Sequence, residues 1–352
     1  MTELRQHSPL LITAACLVVL IAGVQAAASL LVPLLLAMFI ACICLPPLNW
    51  LVNKGIPATW AVLLVTLGLV LLGAFLSIFV GASVADFSQN IPVYQERLQG
   101  QTTQLLAWLS GLGINISHDM ALDAFNPAAA MGFAGKLLAG FGNALANTFF
   151  IVLTVIFLMF EALALPHKWA VIGEHAPSTD AVSTFLKSVN QYLVIKTWIS
   201  LATGIVVSIW LAILGVDYPL LWGLLAFLFN YVPNIGSIIA AVPAVLLALV
   251  QLGVDTALYT GLGYVAVNII MGNVIEPRFM GKGVGLSTLI VFVSLVFWGW
   301  LLGPVGMLLS VPLTMIVKLA LEANPKTQWI AVLLGPDIEP AKEPQVHANK
   351  HG

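Results

Sequence analysis

Charge is what this sequence has least of. Only 13 Lys and Arg and 15 Asp and Glu stand among 352 residues, 8% of the chain, where a soluble domain carries about 25%. So few ionised groups cannot clothe a soluble globule of this length. A formal net charge of −2 offers no basic face for nucleic acid. Cysteine is scarce too. Cys16, Cys42 and Cys44 all lie in apolar runs near the N-terminus, which excludes a disulfide framework and a cysteine metal motif. The six His (His7, His118, His167, His175, His347 and His351) fall outside the apolar spans and show no ligand spacing. No Gly-x-x-x-x-Gly-Lys-Ser/Thr occurs, so the Gly-x-Gly-x-Gly run at 281–285 is no phosphate loop, and no ATPase module is present. No nucleophile–base pair or metal constellation appears. That argues against an enzyme, and no cofactor is implied.

What the chain has in abundance is hydrophobicity. Apolar residues make up 60% and the mean hydropathy is +1.03, which puts the chain in the integral membrane class. A bilayer core needs roughly 20 apolar residues per helix. Runs at 10–29, 31–50, 58–82, 139–163, 196–214 and 255–275 predict about six full spans in an all-α protein. Pro57 suits the first turn of the third, where its missing N–H costs nothing. Arg5, the apolar stretch after it and Val24-Gln25-Ala26 imitate a signal peptide. The chain runs straight on into further spans, so an uncleaved first helix is expected.

Residues 84–135 break the pattern. Val84, Phe87, Ile91, Tyr94 and Leu98 recur at helical spacing among polar residues, which predicts a small extramembrane module of amphipathic helices. The expected organisation is helices one to three over 1–83, this module over 84–135, a transport region over 136–335 and a disordered tail over 336–352. The positive-inside rule groups Arg5, Lys54, Lys168, Lys187, Lys196, Arg278, Lys282 and Lys326 on one side, with both termini cytoplasmic and 84–135 outside.

Two apolar blocks, 219–250 and 284–318, are interrupted in the middle. The first breaks in "NYVPNIGSIIAAVP" and the second within Gly299 to Gly306. Two crossings would need about 40 residues and a turn, so each block is predicted to be a re-entrant hairpin that leaves on the side it came from. Backbone groups freed by a break survive only where protein or a water-filled cavity surrounds them, and broken helices commonly form transporter substrate sites. The plainer reading is a proline kink repaired by neighbouring helices. Amides, hydroxyls and aromatics gather at the first break. Asn230, Tyr231, Asn234 and Ser237 are therefore candidate substrate-binding residues. Asn268 joins them from a face shared with Gly261, Tyr264 and Gly272, a stripe that also suits close helix contact. Ser287 and Thr288 start the second hairpin and offer hydroxyls. Glu276, Pro277 and Arg278, with Gly303 and Pro304 at the second break, are candidate gating or coupling residues. A structural salt bridge is the simpler role for Glu276 and Arg278.

The stretches "GLLAFLFNYVPNIGSIIAAVP" and "GNVIEPRFMGKGVGLSTLIVFVSLVFWGWLLGPVGMLLSVPLT", with the early "LLVPLLLAMFIA", resemble the autoinducer-2 exporter family of bacterial inner-membrane proteins over about residues 10–335. The resemblance implies export of autoinducer-2, a small hydroxylated furanone-type signal, from the cytoplasm. It also implies a homo-oligomer, with a pentamer among the options. Other members of that family are linked to sodium or lithium efflux in exchange for protons. Three readings follow: a carrier for a small polar organic signal, a monovalent cation/proton antiporter, and a membrane scaffold whose 84–135 module binds a partner. Antiport usually needs an ionisable group within the membrane, and Glu161, Glu276 and Lys318 all lie near span ends. That favours the first reading. The scaffold does not account for two broken blocks.

Overall fold

The computed structural model describes residues 4–111, 148–172, 179–233, 235–280 and 285–336. Among them every regular element is helical. In order these are α1 (Leu4–Ala26), α2 (Ala28–Asn53), α3 (Ala58–Gly111), α4 (Thr148–Ile172), α5 (Thr179–Leu214), α6 (Pro219–Phe229), α7 (Gly236–Leu252), α8 (Val254–Asn268), a π-helix (Ile269–Ile275), α9 (Glu276–Met280), α10 (Thr288–Leu308), α11 (Ser310–Glu322) and α12 (Gln328–Leu333). Helix is the only way for such segments to satisfy every backbone group internally where water is absent. Large apolar side chains such as Phe75, Ile78, Phe149 and Phe157 point outward and are exposed. A bilayer covers such a surface, whereas in water it would aggregate.

Among the described residues six helices are long and apolar enough to cross a membrane: Ala28–Asn53, Ala58–Phe87, Thr148–Lys168, Ser188–Leu214, Val254–Phe279 and Thr288–Leu308. The number matches the expectation, but the membership differs. The apolar part of α1 is short, Ala15–Ala26, and α10 enters the count by its length alone, because it is broken at Gly303. The boundary expected at residue 84 falls inside α3, which runs unbroken for 54 residues, about 80 Å. The amphipathic pattern that begins there is thus a continuation of the third span. Residues 112–135 of the expected module, and 337–352 of the expected tail, lie outside the described residues.

Both interrupted blocks fold back on themselves. In the first, the Asp217 amide donates to Gln251 Oε1 (2.9 Å) and Gln251 Nε2 donates to the Gly215 carbonyl (3.2 Å), so the start of α6 and the end of α7 meet. At the opposite end a Cβ on Gly236 would collide with the Phe229 carbonyl. Only glycine allows the chain to turn this tightly. In the second block, Trp298 Nε1 donates to Thr314 Oγ1 (2.9 Å), yet 16 helical residues would separate them by about 24 Å. The turn is Gly303-Pro304. Gly303 takes φ 68°, ψ −152°, a region open to glycine, and Pro304 has no N–H to lose. The base closes where Lys318 Nζ donates to the Gly285 carbonyl (2.6 Å) and the Ser287 amide donates to the Leu334 carbonyl (3.0 Å).

Three cores result. One gathers α5, the first hairpin, α8 and the far part of α3 through Phe87 and Tyr94. Another joins the second hairpin to α2 and takes in Tyr231 from the tip of the first. The third holds α2, α3 and α4 together. The base of the first hairpin is tied to α3 by Tyr94, whose hydroxyl donates to Asp217 Oδ2 (2.8 Å), and by Tyr218, whose hydroxyl donates to Asp86 Oδ2 (2.6 Å).

Candidate functional site

The tip of the first hairpin docks on α5. That helix is apolar over most of its span, but Lys196, Ser200 and Thr203 follow one another at helical spacing on its inner face, and all three are buried. Asn230 Nδ2 donates to Ser200 Oγ (2.9 Å). The Tyr231 hydroxyl donates to Thr197 Oγ1 (2.8 Å), which in turn donates to the Leu193 carbonyl (2.7 Å). The Tyr231 ring is set edge-on between Phe39 and Phe227, with centroids at 5.4 and 5.7 Å. The first break is therefore a polar plug seated in a polar stripe, and its amide and hydroxyl have partners. The helices come this close because Gly204 of α5 faces Gly223 of α6; a Cβ on Gly204 would stand 2.7 Å from the Gly223 carbonyl.

Beside the plug lies a small enclosed cavity. Thr203, Val207, Ala226, Asn230, Ser237, Tyr264, Val267 and Asn268 line it. Its volume of about 10 Å³ is the space of a single water. Three of the sequence-predicted residues, Asn230, Ser237 and Asn268, meet here. Tyr231 is next door, in the second core. Asn234 lies outside the described residues. Ser237, Tyr264 and Asn268 also border an apolar groove of about 400 Å³ between α7 and α8, so their side chains stand between it and the polar cavity.

The second hairpin does not contribute to this cavity. Ser287 caps α10, its Oγ accepting from the Ile290 amide (3.3 Å), and Thr288 is exposed. Gly303 and Pro304 form the hairpin turn and do not line the cavity.

Glu276 has a partner that lay outside the sequence pairing. Lys196 Nζ stands 2.8 Å from both Glu276 carboxylate oxygens. Pro277 and Arg278 are exposed, and Arg278 makes no ion pair among the described residues. Lys196, which the positive-inside rule groups with the cytoplasmic charges, is buried in the protein. A cation there needs its counter-charge, because desolvating one ion alone costs several kcal/mol.

Sequence reasoning missed Lys196, Ser200, Thr203 and Tyr264 as parts of the site. The signal for the first three was present. Polar residues at i, i+4 and i+7 of an otherwise apolar helix mark a face that meets something polar. Tyr264 was seen only as part of a small-residue stripe. Its hydroxyl is buried and has no hydrogen-bond partner among the described residues, a state that costs about 1–3 kcal/mol.

Comparison with known proteins places the chain in a family. Residues 14–326 match the profile of the AI-2E family of transporters. The chain is 42% identical over 319 residues to the AI-2 transport protein TqsA of Escherichia coli K12, covering 90% of this chain and 93% of that protein. It is 41% identical over 347 residues to a protein of Haemophilus influenzae, covering 97% and 99%. With the YhhT protein of Escherichia coli K12 it shares 37% over 328 residues, covering 93% and 94%. Matches of this extent span the membrane helices, both hairpins and the cavity together. The chain belongs to the AI-2E family of transporters.

Proposed function

We propose that this transporter exports autoinducer-2, a small hydroxylated furanone-type signal, from the cytoplasm across the bacterial inner membrane. The solute occupies the enlarged form of the cavity between the first hairpin, α5 and α8. One observation carries the reading: none of the eight cavity residues is charged, and amides and hydroxyls supply all its polar groups. Such a lining suits a neutral polyhydroxylated solute, with rings and aliphatic side chains against its apolar edges. TqsA, whose name specifies AI-2, supports the same solute. The conformation described here is closed, because one water's volume cannot hold a furanone ring. Loading requires the plug to leave Ser200 and Thr197. In this reading both hairpins are re-entrant, both termini are cytoplasmic and the working form is a homo-oligomer.

A second reading, exchange of a monovalent cation for protons, draws on a different observation. Glu276 is a carboxylate held inside the protein against Lys196, within the spans Val254–Phe279 and Ser188–Leu214. Ionisable groups so placed are the usual coupling groups of antiporters.

Reconstituted protein separates the two. Liposomes are loaded with labelled autoinducer-2 or with Na⁺ and assayed with and without a pH gradient. Release of the signal with no Na⁺ movement is expected. Na⁺ flux driven by the pH gradient, without release of the signal, overturns the export reading in favour of the second.

A further inference from the structure

Tyr264 stands one turn after Thr260 and one turn before Asn268 on α8. Its side chain is 5% exposed. Buried tyrosines ordinarily find a partner for the O–H. Three tyrosines packed at the first hairpin do so: Tyr94 on Asp217, Tyr218 on Asp86 and Tyr231 on Thr197. Among the described residues Tyr264 does not, and neither does Thr260 Oγ1 on the same face. Tyr264 also lines the polar cavity, alongside Asn230, Ser237 and Asn268. An uncommitted hydroxyl and a site of otherwise neutral polar groups thus coincide.

We infer that Tyr264 is the specificity-determining residue of the solute site, its phenolic hydroxyl exchanging a hydrogen bond with one hydroxyl of a small, uncharged, polyhydroxylated ring. The inference rests on the export reading above and names the residue that enforces it. Phenylalanine would fill the same space without stranding an oxygen, so close contact between α8, α5 and α7 does not require tyrosine. A phenol both donates and accepts, so it can pair with a solute hydroxyl in either sense. It carries no charge, so an ammonium or carboxylate entering the cavity would lose its hydration without a counter-ion. A solute that lacks the matching hydroxyl leaves the phenol unpaired in a buried site, which is how polar sites reject deoxy analogues more strongly than apolar sites reject an extra methylene.

The test measures release from proteoliposomes of a vicinal-diol tetrahydrofuran and its monodeoxy analogues. Wild-type protein should prefer the diol over one of the deoxy compounds by about tenfold or more. Tyr264→Phe should lose that preference by slowing the diol, with an unchanged or raised thermal midpoint. Preserved selectivity in Tyr264→Phe overturns the inference and leaves the export reading standing. Equal loss for all solutes also overturns it, since that is the signature of a structural role. Failure of the wild type to carry any of these compounds overturns the inference and the export reading together. If Tyr264→Phe does not fold, the wild type is tested with the O-methyl ethers of the diol. Blocking one hydroxyl should then reduce transport as strongly as deleting it, and indifference to every ether overturns the inference.

Discussion

Lys196 and Glu276 lie 80 residues apart in the chain and meet as an ion pair, with the ammonium 2.8 Å from each carboxylate oxygen. The Lys196 side chain is 6% exposed and that of Glu276 19%. The pair fastens α5 to the end of the π-helix. A π segment carries one more residue per turn than an α-helix has room for. Its conversion to α geometry would rotate the residues after it by about 100° and is predicted to take Glu276 off Lys196.

Removing one partner of this pair strands the other. Lys196→Met should lower stability by about 3–5 kcal/mol, and Lys196→Met with Glu276→Gln should recover most of the loss. Thermal unfolding in detergent reads both. Glu276→Gln alone should slow solute release while leaving solute binding nearly intact. Lost binding at an unchanged conformational rate would instead make Glu276 part of the solute site.

The plug contact between Asn230 and Ser200 is expected to act as a latch. Asn230→Ala should lower transport more than it lowers the amount of folded protein. In a double-mutant cycle with Ser200→Ala, the coupling should be about 1 kcal/mol. A coupling near zero, together with normal transport, would remove the latch from the mechanism.

Gly236→Ala places a methyl group against the Phe229 carbonyl and should prevent the first hairpin from closing, with loss of folded protein on size-exclusion chromatography. Gly303→Ala at the second turn meets open space but a left-handed backbone, so it should cost only about 1–3 kcal/mol. Comparable damage from the two substitutions would contradict the distinction between a steric and a backbone requirement.

The base of the first hairpin depends on a protonated phenol. Burial pushes the Tyr94 hydroxyl well above its ordinary pKa, and its hydrogen bond to Asp217 pushes it further in the same direction. A raised folded-state value means the contribution is whole below the unfolded value of about 10 and fades as pH climbs above it. Tyr94→Phe should therefore cost about 1.5–3 kcal/mol at neutral pH. The gap to wild type should stay constant up to about pH 9 and narrow as pH climbs past about 10, as read by thermal midpoints. A gap that widens with pH would contradict the assigned direction.

The sidedness of α3 is open to direct labelling. Glu96 is exposed on the part of α3 beyond its membrane span. Glu96→Cys, in a background lacking Cys16, Cys42 and Cys44, should react with an impermeant thiol reagent added to the periplasmic face. Modification from the cytoplasmic face alone would reverse the orientation.

The sequence by itself determined the membrane class, the all-helical fold and the two blocks that double back. These follow from one-dimensional quantities, namely the length needed to cross hydrocarbon, the places where proline and glycine stop a helix, and the rule that backbone groups in lipid must be paired internally. That Asn230, Ser237 and Asn268 are polar groups in apolar surroundings is legible in the sequence, and their meeting round one cavity is not. Two matters depended on the tertiary structure. A change of composition at residue 84 does not end a helix, since the backbone hydrogen bonds of α3 continue whatever its side chains face. Helical periodicity also states which residues share a face, but not which helix that face will meet. The joining of Lys196 to Glu276 rather than Arg278, the seating of Asn230 on Ser200, and the uncommitted hydroxyl of Tyr264 were settled only when the hairpin tip, α5 and α8 closed on one another and left between them no more than the space of a single water.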